Sequence, residues 1–310
     1  MQGVLGGIET VFLALLGWLE GPAWRRVLFL ALVAALTILP GLAALPPTDR
    51  DESRFAQASR QMIETGDVVD IRFQDAPRWE KPAGIYWLQA AAALPFGGAE
   101  APIWAYRLPS ALAAFLGGLL LMWALGPLIG PGAALLSALM FATSLLVLVE
   151  AHLAKTDAVL VATVIAAQGA LIRLLAPEAP MRFNWRHLVF WGALGAGLLV
   201  KGPVALLPAA GTLLWLAVAG RSIAPLRATR PLPGLLVLLA VAAPWLVAIW
   251  IRTDGAFFTD SLLGDMLAKV AQGKERHWGP PGYYLATIWA TFWPWAALIL
   301  LAVPTLWQLR

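Results

Sequence analysis

Residues 231–251 read PLPGLLVLLAVAAPWLVAIWI, a run without one charged side chain. At a rise of about 1.5 Å per residue, a helix of that length matches the roughly 30 Å hydrocarbon core of a bilayer. In lipid the backbone must satisfy its own N–H and C=O groups, so the run reads as a transmembrane helix. Working outward, comparable apolar runs place further crossings at 27–45, 103–125, 132–150, 158–175, 188–200, 203–219 and 283–307, eight in all. Residues 4–19 are apolar but short and broken by Glu9, and read as an interfacial helix with neither the basic start nor the cleavage site of a signal peptide.

Composition agrees with an all-α polytopic membrane protein. Of 310 residues 60% are hydrophobic and 13% charged, and the mean hydropathy is +0.74. The 16 Trp suit interfacial belts. With no Cys, disulfides, thiolate catalysis and Cys-bound metals are excluded.

The net charge of +4 is a statement about orientation. With a cytoplasmic amino terminus, the inside segments collect Arg25, Arg26, Arg173, Arg182, Arg186, Arg221, Arg227, Arg230 and Arg310, as the positive-inside bias requires. The mixed-charge segments then share the outer face: the 46–102 loop, the 150–157 turn, the break at Lys201 and the 252–282 loop. No nucleic-acid footprint remains.

The 46–102 loop opens with Thr48-Asp49-Arg50-Asp51, a helix start in which Thr48 and Asp51 cap the first turn. Phe55, Ser59, Met62 and Ile63 form an apolar stripe before Gly66 ends the helix. That pattern predicts an amphipathic helix on the membrane surface. Asp51 and Arg54, three apart, share a face, so Asp51 is either a base beside an anion-binding guanidinium or a capping acid. Further on, Pro82 turns Lys81 away from helix, leaving the Glu80-Lys81 pair in an extended turn.

Lys201 interrupts an apolar stretch and is followed by Gly202-Pro203, which breaks the helix. An ionisable residue in such a run marks a cavity or snorkels at a helix end. Asp157 starts the helix after the 150–157 turn, as a site acid or as an ordinary first-turn acid. The later stretch Lys274-Glu275-Arg276-His277-Trp278 through Tyr283-Tyr284 joins cations, an imidazole and rings, a composition suited to a sugar on a lipid phosphate and equally to an interfacial belt.

Asp51-Glu52-Ser53-Arg54-Phe55, Gly66-Asp67, Trp79-Glu80-Lys81-Pro82, Tyr86-Trp87-Leu88, Arg107-Leu108-Pro109-Ser110, Thr156-Asp157, Lys201-Gly202-Pro203 and His277 through Tyr284 follow one another in an order that resembles the lipid A aminoarabinose transferase and protein O-mannosyltransferase superfamily. These are integral-membrane GT-C glycosyltransferases that take a sugar from a polyprenyl phosphate. The resemblance covers about 50 to 285. It implies one transmembrane catalytic domain over 1–310 in the bacterial inner membrane, with its site facing the periplasm and lipid A, protein or a glycan as acceptor. Asp51 then matches the catalytic carboxylate, with Asp157 as a second acid. Arg54, Lys81 and Lys201 match cations for the donor phosphate, with Arg276 and Tyr283 as further substrate contacts. Glu80 and His277 match positions near a divalent metal ion. Phe55 departs from the Tyr common in aminoarabinose transferases. Family members continue into further spans and often a soluble domain, so the chain is either a short relative or a fragment. A single displacement with one base inverts the anomeric centre. The rivals are a transporter, whose charges belong at the midplane of two related halves, and a non-catalytic lipid-binding protein.

Overall fold

The computed structural model describes residues 13–176, 182–261 and 282–308. Residues 13–19 are helical. Helix α1, Ala23–Leu42, buries Leu30, Ala34, Ile38 and Leu42 at the four-residue spacing of one helix face, and leaves helical geometry at Pro40 and Gly41, where Pro removes a backbone donor and Gly takes φ 86°.

Helix α2, Arg50–Thr65, is capped by Asp49, whose Oδ1 accepts the Asp51 amide at 2.7 Å, rather than by Thr48. Gly66 ends it at φ 70°. The stripe of Phe55, Ala58, Ser59 and Met62 is buried against protein, packed with Ile85, Tyr86, Leu199 and Trp245. A two-residue antiparallel hairpin follows, β1 Arg72–Phe73 with β2 Ala76–Pro77, pairing Phe73 with Ala76. Gln61 of α2 holds its turn, accepting from Gln74 N at 2.9 Å and donating to Gln74 O at 2.8 Å. Helix α3, Gly84–Ala93, starts just after Pro82.

Helix α4, Ile103–Ala142, is interrupted at Gly130 (φ 81°, ψ 162°), next to Pro131. A Cβ on Gly118 would lie 3.6 Å from Ala138 O, so the two arms run side by side across that break. Helices α5, Leu145–Ala151, and α6, Asp157–Leu175, flank the 152–156 turn. Helix α7, Trp185–Lys201, ends where Gly202 adopts φ 76°; a 3-10 turn, Gly202–Leu206, leads into α8, Leu207–Ala219. The remaining helices are α9 (Ala224–Ala228), α10 (Pro231–Thr253), α11 (Ala256–Phe258), α12 (Tyr283–Thr291) and α13 (Ala296–Gln308).

Five of these segments are long and apolar enough to cross a bilayer: Ala23–Leu42, Ile103–Ala142, Asp157–Leu175, Trp185–Ala219 and Pro231–Thr253. The pair Tyr283–Thr291 with Ala296–Thr305, bent by 117°, is apolar enough to be a sixth, broken span or a re-entrant loop. Their outer faces are apolar: Leu232 is 82% exposed and Ile251 70%, which suits hydrocarbon and not water. The protein is a polytopic helical membrane protein, with its polar loops gathered where α2, α3, the α5–α6 turn and the end of α7 meet.

Candidate functional site

At that meeting point the acids and bases sort into two groups. In the first, Asp51 and Arg54 project from the first turn of α2, 3.8 Å apart, with side chains 50% and 36% exposed. Beneath them Arg78 is buried: its guanidinium lies over the Phe55 ring at 5.0 Å, its Nε donates to the Tyr86 hydroxyl at 3.1 Å, and it pairs with Glu80 at 3.4 Å. Burial pushes the Tyr86 hydroxyl up to about 12, against the pull of Arg78, so it stays protonated as a neutral partner.

In the second group, Lys155 bonds Asp49 Oδ2 at 2.8 Å. That bond is the chief reason the Asp49 carboxyl lies below its ordinary value. Burial pulls Lys155 down, but Asp49 and the neighbouring acids Glu150 and Asp157 outweigh it and raise it. Lys201, at the broken end of α7, bonds Asp157 at the start of α6. Lys81 is brought to the same neighbourhood by a close helix approach: a Cβ on Gly84 would sit 2.7 Å from the Leu199 carbonyl oxygen, so only glycine lets α3 reach α7 there.

Between these groups Glu52 faces inward. Both its oxygens meet Arg107, at 2.7 and 3.1 Å, and Oε1 also accepts the Ala154 amide at 3.1 Å. Arg107 spends its remaining donors on the carbonyls of Leu42, Leu45 and Pro46. One buried ion pair therefore ties α1, α2, α4 and the α5–α6 turn together. Two sequence signals point to it: Glu52 lies three residues before Phe55 on the apolar stripe, and Arg107 lies inside an apolar run.

An apolar groove of about 590 Å³ runs between α4, α6 and α7, lined by Leu112, Leu116, Val159, Ala162 and Ala196 with Thr163 as its polar side chain. Its lining reaches Val159 and Ala196, two residues along α6 from Asp157 and five along α7 from Lys201.

The sequence profile of the dolichyl-phosphate-mannose-protein mannosyltransferase family matches residues 80–250, from Glu80 through Lys201 and most of α10. The chain belongs to this family. Among relatives of the mannosyltransferase family, the undecaprenyl phosphate-alpha-4-amino-4-deoxy-L-arabinose arabinosyl transferase of Erwinia tasmaniensis is 30% identical over 292 residues, covering 92% of this chain and 51% of its own length. That of Aeromonas salmonicida is 29% identical, with 93% and 51% covered. Crystal structures of ArnT from Cupriavidus metallidurans superpose with TM-scores of 0.78 in the apo state (25% identity) and 0.81 bound to undecaprenyl phosphate (24%), each over 91% of this chain and 50% of that one. The S. cerevisiae Pmt1–Pmt2 complex bound to its sugar donor reaches 0.55 at 21% identity, over 75% and 34%. The chain spans about half the length of the curated relatives it matches.

Of the residues singled out from the sequence, the structure gathers Asp51, Arg54, Glu80, Lys81, Asp157 and Lys201 at one end of the helices. Tyr283 begins α12, 49% exposed, with its ring on Tyr284. Arg276 and His277 lie outside the described residues. A divalent ion at Glu80 finds a carboxylate already paired with Arg78, and no group of three ligating side chains stands among the described residues. Phe55, where aminoarabinose transferases are expected to carry Tyr, lies beneath Arg78 with its ring 5.5 Å from that of Tyr86.

Proposed function

We propose that this chain is the membrane-embedded catalytic part of a glycosyltransferase that moves a sugar, an amino-pentose by analogy with its relatives, from a polyprenyl-phosphate donor to lipid A at the periplasmic face of the inner membrane. The observation that carries the reading is the Lys201–Asp157 ion pair, formed between the two helices that also line the apolar groove. A polyprenyl phosphate joins a long hydrocarbon chain to an anionic head, and this junction offers a matching surface for each. Departure of the sugar leaves a phosphate monoester whose growing charge Lys201, Lys81 and Arg54 stabilise. Asp51, exposed and held beside Arg54, orients the acceptor and takes its proton if the acceptor is a hydroxyl. One carboxylate acting in a single displacement inverts the anomeric centre.

Eight crossings with an inside amino terminus fit this assignment. Ile103–Ala142 has 40 residues and Trp185–Ala219 has 35. Each is about twice the bilayer's requirement of roughly 20, and each breaks at a positive-φ glycine. Tags at 222–229 should report cytoplasm and tags at 66–76 periplasm.

The test of function uses the full-length protein in liposomes with an undecaprenyl-phosphate sugar and lipid A. Transfer that is lost with Asp51→Asn supports the reading. A wild-type protein that neither binds nor consumes the donor refutes it, as does a cytoplasmic 46–102 loop, because the sugar-bearing lipid is presented on the outer face.

A further inference from the structure

Helices α6 and α7 carry Asp157 and Lys201 at one end and arginines at the other. Arg173 lies 16 residues beyond Asp157 on α6, about 24 Å away at the helical rise. At that far end the two signs of charge are no longer balanced. The 173–187 and 220–230 segments hold Arg173, Arg182, Arg186, Arg221, Arg227 and Arg230 against Glu178, six positive charges to one negative. Glu178 lies outside the described residues, and counting it still leaves a large positive excess. The two segments are fastened together: the His187 ring bonds the Ala228 carbonyl at 3.1 Å, and the Trp191 indole donates to Thr229 O at 2.8 Å.

Two of the guanidiniums are fixed in place. Arg173 donates to the Trp123 carbonyl of α4 and lies over the Trp123 ring at 4.8 Å. Arg186 donates to the Arg173 carbonyl at 3.1 Å and lies over the Trp185 ring at 5.9 Å. The two rings are themselves 5.7 Å apart, so side chains of α4, α6 and α7 form one assembly. Among the described residues the one charge that acts on Arg173 is that of Arg186, and it repels. Like charges held side by side favour an anion that joins them. Apolar surface continues from the rings: the groove between α4, α6 and α7 reaches Leu120 and Leu188, one helical turn from Trp123 and Trp185.

We propose that this end of the protein binds an anionic phospholipid of the surrounding membrane, its phosphate on Arg182 and Arg186 beside the indole pair and one acyl chain in the groove at Leu120 and Leu188. Each part of the lipid has its match. Guanidinium forks take phosphate oxygens in pairs and stack on rings, and indoles favour the headgroup level of a bilayer. A soluble anion would leave the groove unfilled, and a lipid without net charge would leave the arginines uncompensated. Orientation in the membrane asks only for basic residues near the helix ends, whereas these are held in position by carbonyls and rings. The donor's head belongs to the opposite end, by Lys201, so the two lipids do not share a charged site.

The experiment measures binding of phosphatidylglycerol and phosphatidylcholine, with identical chains, to the full-length protein in detergent. Both carry a phosphate, so a difference between them reads the net charge of the head. Wild type should prefer phosphatidylglycerol by about tenfold, the scale of one charge-assisted hydrogen bond. The double variant Arg182→Gln, Arg186→Gln should lose that preference while keeping the thermal midpoint of wild type. Arg72→Gln, which removes a surface arginine from the polar loops at the other end, should keep the preference. Gly192 lines the groove with open space around its Cβ, so Gly192→Leu should weaken phosphatidylglycerol binding without lowering the thermal midpoint. Equal binding of the two lipids by wild type overturns the proposal, as does a preference that survives in the double variant. Unchanged binding by Gly192→Leu overturns the placement of the acyl chain. Should the double variant fail to fold, the exposed Arg182 decides alone: Arg182→Gln must lower the preference.

Discussion

Asp51 and Glu52 are adjacent on α2 and meet opposite fates. Asp51 is half exposed and loosely paired with Arg54 at 3.8 Å. Glu52 is fully buried and bound by both oxygens to an equally buried Arg107 at 2.7 and 3.1 Å. A step of one residue turns the helix by about 100°, enough to move a carboxylate from solvent to core. A carboxylate that already spends its lone pairs on protein donors cannot also take a substrate proton, so of the two acids Glu52 serves the architecture and the chemistry proposed above is left to Asp51.

The sharpest way to break that comparison is Arg107→Met. It strands Glu52 in the interior and orphans the carbonyls of Leu42 and Leu45, and loss of one partner of a buried pair costs about 3–5 kcal/mol. The thermal midpoint in detergent should fall steeply, and the double variant with Glu52→Gln should recover part of the loss. A single variant as stable as wild type contradicts the buried role.

Asp51→Asn should do the reverse. Its surface position predicts a stability change within about 0.5 kcal/mol, while transfer falls by about a hundredfold or more, as expected on removal of a general base. If transfer stays within a few fold of wild type, Asp51 is a first-turn helix acid and the division between the two acids collapses.

Most of the helices were legible from run length alone, and so was the polar region between them, because a bilayer imposes a sharp length requirement on apolar segments. Asp51, Arg54, Lys81 and Lys201, the residues of the proposed site, were singled out by a charge beside an apolar run or a proline break. The Glu52–Arg107 pair was half legible: an acid on an apolar stripe and a base inside an apolar run each announce burial, but their meeting across 55 positions is a tertiary fact. Arg78 had no signal, since nothing local says that a loop arginine will lie on Phe55. The stripe on α2 was read as facing lipid, and it faces protein because α3, α7 and α10 reach it through long-range packing that periodicity does not encode.

A smaller effect tests how the two charge groups are held in register. Gly84→Ala forces a methyl to 2.7 Å from Leu199 O, a backbone atom that cannot swing away. Overpacking of this kind costs about 1–3 kcal/mol. Because the contact sets α3, and with it Lys81, against the end of α7, donor binding should weaken together with stability. Gly126→Ala, with open space around its Cβ, should leave both unchanged.

The smallest effect belongs to the half-exposed pair Asp49–Lys155, with side chains 33% and 18% exposed. Such a pair is worth no more than about 1 kcal/mol. The Asp49 carboxyl lies below its ordinary 3.8, chiefly because of the Lys155 bond, so its contribution is complete above 3.8 and disappears as pH falls through the lower folded value. Lys155 lies above its ordinary 10.5, so its contribution is complete below 10.5 and is lost as pH rises through the higher folded value. Stability should therefore be insensitive to this pair across neutral pH and respond to it only at the two extremes. Thermal scans of wild type and Asp49→Asn should run parallel at neutral pH, offset by that small amount, and converge below 3.8. An offset that persists in acid would show that it does not arise from the Asp49 charge and its bond to Lys155, since Asn keeps the oxygen that accepts the Asp51 amide.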